Sequence, residues 1–141
     1  MGEPGSRLGN DAEREAVERE LKSRRVQALR LAEQCEEKAE EARRQARMYS
    51  SAADQLEKKA HAEQAAAKTA EAEQDLEAAR ARREAVDELH DMARMNYQLA
   101  DAKGREAQVS EREAESHKTE AANLAREIKS RQNTDFDFLN P

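Results

Sequence analysis

The stretch "ALRLAEQCEEKAEEARRQARMYSSAADQLEKKA", residues 28–60, decides the architecture. Within it Ala28, Ala32, Cys35, Ala39, Ala42, Ala46, Tyr49, Ala53, Leu56 and Ala60 recur at an unbroken 4-3-4-3 spacing. That alternation keeps small apolar side chains on one side of an α-helix, turn after turn, as in the seam of a coiled coil. Strands alternate with a period of two, so this pattern predicts helix throughout.

Toward the C-terminus a second stripe has the same spacing in a different phase. It runs Val86, Leu89, Ala93, Asn96, Ala100, Lys103, Ala107, Ser110, Ala114, His117, Ala121, Leu124, Ile128. Between the stripes, "HAEQAAAKTAEAEQ" (61–74) is apolar on most faces and sets no clear seam. Two readings fit a phase slip at 61–75: a stutter in one continuous supercoil, or a fold-back into a hairpin. Glycine and proline are both missing from residues 10–103, and the lack of a turn residue favours continuity. Gly104 is a second candidate break, where a lone glycine costs a helix about 1 kcal/mol relative to alanine.

The fold class expected is therefore all-α: a long alanine-rich coiled coil, either a near-continuous rod or a folded-back helical hairpin or bundle. Residues 1–10 ("MGEPGSRLGN") read as a flexible leader, with Asn10 or Asp11 capping the first helix. Residues 11–103 form the long helix and 105–130 a last helical segment. Residues 131–141 form an acidic-aromatic tail in which the helical pattern stops. A continuous helix of this kind would span on the order of 180 Å at ~1.5 Å per residue. It would need a partner along its length, either its own copy or a folded-back half.

Composition agrees with helices and argues against a compact core. Charged residues make up 40% of the chain and aromatics 3%, so few large side chains exist to bury. The 28 alanines supply one methyl group each, and burying a CH2-sized group yields only about 0.8 kcal/mol. The net charge of −6, with basic runs such as Arg80, Arg82 and Arg83 interleaved with acids, lacks the clustered footprint of a nucleic-acid binder. One cysteine, Cys35, allows no internal disulfide, and no apolar run approaches a membrane span. No hydrophobic signal-peptide core follows Met1, and the expected location is the cytoplasm or another reducing compartment.

Catalytic machinery is hard to assemble from what remains. His61, His90 and His117 are scattered, and "DELH" (Asp87, His90) approaches a metal-binding helix motif once, without a second copy. No glycine-rich phosphate loop is present. The chain is expected to be non-enzymatic, with no metal, cofactor or nucleic acid. Asn96 and Lys103 are polar at seam positions. There they either fix register and oligomer state or reach out to water.

Both phenylalanines lie in the tail "TDFDFLNP". Asp135, Phe136, Asp137, Phe138 and Leu139 form an aromatic-x-x-aliphatic core in an acidic setting. It resembles the short motifs bound by autophagy modifiers of the ubiquitin-like class, with acidic-phenylalanine peptides of clathrin adaptors as a neighbouring case. The same residues could instead fold back as a hydrophobic cap. The functional expectation is a self-associating rod, spacer or scaffold whose partners are its own copy or other helical proteins. Its alternatives are an adaptor presenting the tail motif by avidity, and a bundle that binds a partner helix.

Overall fold

The chain reverses at Asp75. In the computed structural model, helix α1 (Pro4–Ala72) and helix α2 (Leu76–Leu139) pack against each other as a helical hairpin. Backbone is described for residues 4–139 and side chains for residues 10–134.

The reversal at 73–75 is built without glycine. Gln74 adopts φ 61°, the left-handed conformation that ends many helices. Its N–H donates to the Glu71 carbonyl at 3.0 Å, and the Asp75 N–H donates to the Ala70 carbonyl at 2.9 Å. These two bonds are the Schellman pattern, and they satisfy carbonyls that the end of α1 would otherwise leave bare. Asp75 then starts α2. Its carboxylate accepts from the Ala78 N–H at 3.2 Å and its carbonyl accepts from the Ala79 N–H at 3.0 Å. One residue thus closes the first helix and caps the second.

The hairpin corrects the preference for a continuous rod. The 180 Å single helix is replaced by helices of 69 and 64 residues. The phase slip near 61–75 is the fold-back itself. In α1 the stripe keeps its phase through the buried Ala67 and Ala70, and in α2 the new phase begins at the buried Ala79. Gly104 does not break anything; it lies inside α2, with open space where a Cβ would stand. Asn10 and Asp11 are not caps, since α1 already begins at Pro4. The leader's side chains before Asn10 lie outside the described residues. Nor does the helix stop at Ser130: Thr134 donates its hydroxyl to the Ser130 carbonyl at 2.9 Å, inside α2.

The chain divides into two compact units, each a pair of antiparallel helical segments. The first comprises Met1–Glu37 with Ser110–Pro141. Its core contains a cluster of large buried aliphatics, Leu21, Leu124 and Ile128, with Val17 packed on them. Ala28, Ala32, Cys35, Ala114 and Ala121 extend it as small side chains. The second unit is Lys38–Val109. Its fully buried positions are alanines, among them Ala53, Ala60 and Ala93 at 0% exposure. Tyr49, Leu56, Val86 and Leu89 are half-buried along the same stripes. Methyl groups of this size let two helices approach closely, so many weak dispersion contacts replace bulk.

Candidate functional site

Burial of the seam residues determines which side chains remain for other work. Ala28, Ala32, Cys35, Ala39, Ala42, Ala53 and Ala60 are buried in α1, and Ala93, Ala107, Ala121, Leu124 and Ile128 in α2. Ala46, Tyr49, Leu56, Val86, Leu89, Asn96 and Ala100 are half-buried. All of this burial occurs within a single chain. The helix that covers each stripe is the chain's own other helix.

The polar seam residues are satisfied locally. Asn96 donates its side-chain amide to the Met92 carbonyl of its own helix at 2.9 Å. Lys103 places its ammonium 3.1 Å from Glu106, again on the same helix. Neither residue ties α1 to α2, so neither fixes register in the way a cross-seam hydrogen bond would. Cys35 is buried and its thiol points to Glu113 at 3.8 Å, the distance of a weak sulfur hydrogen bond. Among the described residues no cluster of three or more His, Cys, Asp or Glu side chains could hold a metal ion. Among them, too, no helix is long and apolar enough to cross a membrane. The depression at Lys22, Ser23, Val26, Gln27 and Arg30, about 570 Å³, is lined by one helix and is therefore open surface. The motif residues Asp135, Phe136, Asp137, Phe138 and Leu139 have side chains outside the described residues.

Heptad letters give the two lateral sides of the helix pair. With the stripes at positions a and d, antiparallel helices bring e beside e on one side and g beside g on the other. In the Lys38–Val109 unit the e side is polar. His90 Nδ1 lies 3.0 Å from Glu57, and Arg83 pairs with Glu71, each bond joining e to e. Tyr97, also at e, donates its hydroxyl to Asp54 at 2.6 Å. That hydrogen bond, reinforced by partial burial and the Asp54 charge, raises the phenol above its ordinary range. Arg82 adds a bond to Glu63 at 2.9 Å.

The g side of the same unit is different in kind. Met92 and Leu99 occupy g on α2, with Met95 and Val109 at the adjoining c positions; Met48 takes a c position on α1. Their exposures are 50%, 44%, 63%, 51% and 67%. On α2 the spacing 92, 95, 99, with Ala102 next, repeats 3-4-3 and makes a second apolar stripe outside the buried one. On α1, Met48 lies on open helix surface beside Arg44, Ser51, Ala52 and Gln55. Scattered exposed apolar side chains are ordinary, whereas these recur at helical spacing on one side of the unit. The sequence carried this stripe in plain view. The alanine stripe beside it masks it, because both share one period.

In the other unit one polar bond again joins e to e, and a second joins e on α2 to an a position on α1. Lys118 pairs with Glu36, which raises the ammonium above its ordinary range, chiefly through that hydrogen bond. Gln132 donates to Glu18 at 2.8 Å, and this bond, with Lys22 beside it, lowers the Glu18 carboxyl. Compared with known proteins, the chain matches no family model, no curated protein and no solved structure.

Proposed function

We propose that this chain is a non-catalytic coiled-coil scaffold that works by docking a helical partner on the apolar side of the Lys38–Val109 unit. One observation carries the reading: that unit is laterally asymmetric. Its e side is closed by ion pairs and hydrogen bonds, while its g side exposes Met48, Met92, Met95 and Leu99. Methionine suits such a role, since its flexible thioether adapts to the contours of a partner helix. A stripe at helical spacing fits helix-in-groove recognition better than recognition of an extended peptide. A reducing, cytoplasmic setting is part of the proposal, supported by the lone cysteine.

The test is a photo-crosslinking amino acid placed at Met95 or, separately, at Lys118, in the full chain expressed in cells. Discrete adducts from position 95 with few from 118 are expected. Equal adducts from both positions, or none from 95, would count against the docking side.

A further inference from the structure

We infer that the occupant of this apolar side is a second copy of the same chain, related by a two-fold axis parallel to the helices. The inference rests on the docking reading above and adds the partner and its register. Cross-helix contacts within one chain show which residues share a level. Glu57 meets His90, and Asp54 meets Tyr97. Counting from these in opposite directions along the antiparallel pair, Ala52 lies level with Leu99, and Met48 is near Ala102.

A two-fold axis along the helices preserves those levels and lays α1 of one copy on α2 of the other. Met48 and Ala52 of one chain then meet Ala102, Leu99 and Met95 of its partner, and the contact repeats by symmetry. Such an interface is self-complementary by construction. Every neighbouring pair of helices in the resulting four-helix arrangement is antiparallel.

Charge selects this axis over its rival. Across levels 44–59 the c, f and g edge of α1 carries Lys58, Lys59 and Arg44, the last paired with Glu41 at the preceding c position. The corresponding edge of α2, across 88–106, carries Glu88, Asp91 and Glu106, with Arg105 its basic exception. On the shared levels Lys59 comes opposite Glu88, Lys58 opposite Asp91, and Arg44 opposite Glu106. A two-fold axis perpendicular to the helices would instead lay α1 on α1 with its direction reversed, setting Lys58 and Lys59 against the Arg44 end of the same edge. Complementary charge of this sort fixes orientation and register more than it adds affinity.

The test uses the full chain in sedimentation velocity from about 1 to 200 µM, a span over which mass action reveals association. The wild type is expected to form a dimer. Met95→Glu with Leu99→Glu, both on exposed side chains, should give a monomer of unchanged helical content by circular dichroism. Two charge variants complete the test: Lys58→Glu with Lys59→Glu, and Glu88→Lys with Asp91→Lys. Each alone should raise the dissociation constant at least ~10-fold, and mixing the two should restore a mixed dimer. A wild type that stays monomeric at the highest concentration overturns the inference. So does a dimer indifferent to both sets of substitutions. In either case, adducts to other proteins from position 95 would leave the docking reading standing, and their absence would remove it as well.

Discussion

Gln74 holds a left-handed backbone that glycine would adopt with less strain, and it does so at the point where the chain turns. For a residue with a Cβ, this conformation costs roughly 1–2 kcal/mol. Gln74→Gly is therefore expected to stabilise the hairpin by about 1 kcal/mol, less the entropy that glycine adds to the unfolded chain. Asp75→Ala removes the cap on Ala78 and should cost about 1 kcal/mol. Thermal melts followed by circular dichroism would show the two shifts in opposite directions. Titration gives a second prediction at this scale. Lys118 and Tyr97 both have raised values, so their contributions are complete below the ordinary values of 10.5 and 10.0 and are lost as pH rises through the folded ones. Glu18 is lowered, so its contribution is present above 4.5 and is lost as pH falls through its folded value. Melting temperature should therefore fall from neutrality toward pH 11, and Lys118→Met combined with Tyr97→Phe should reduce that fall. These groups are exposed, so the effects are modest.

At the scale of the helices, two substitutions separate propensity from packing. Gly104→Ala adds a methyl group into open space in mid-helix, and the expected gain is about 1 kcal/mol. Ala53→Leu adds bulk at a position with no exposed surface and is expected to cost about 1–3 kcal/mol. Chemical denaturation of the pair would measure both. The contrast also explains what could be read from the sequence. The 4-3 spacing located the stripes because alanine, cysteine and leucine recur where the helices touch. The turn was not legible, since Gln74 carries none of the signals of a reversal and its strain shows only in the backbone. Asp75, followed by Leu76 and Glu77, was the available clue: an N-cap residue opening an acidic first turn. The helix past Ser130 was missed for a related reason. Asn133 and Thr134 are weak helix formers, and the segment is held here by the bonds of Thr134 to Ser130 and of Gln132 to Glu18.

For the molecule as a whole, all-α architecture was fully legible, whereas the choice between rod and hairpin rested on 73–75 alone. The exposed methionine stripe was equally open to reading. It is distinguished from the buried stripe only once the fold-back says which side each helix turns inward. Lengthening the turn tests how much depends on it. Inserting three glycines after Gln74 should lower the melting temperature and broaden the distance distribution between spin labels at positions 58 and 91. A single sharp distance, unchanged from the parent, would contradict this.

That expectation follows from the alanines. A ladder of nearly identical methyl groups carries little positional information, because a slip of one heptad sets alanine against alanine almost as before. The alanines of Lys38–Val109 let the helices come close, and register there falls to the larger side chains such as Tyr49 and Leu56 and to the turn. The turn at 73–75 acts as the zero of the scale: it is too short to pay out slack, so every level above it is counted from Asp75.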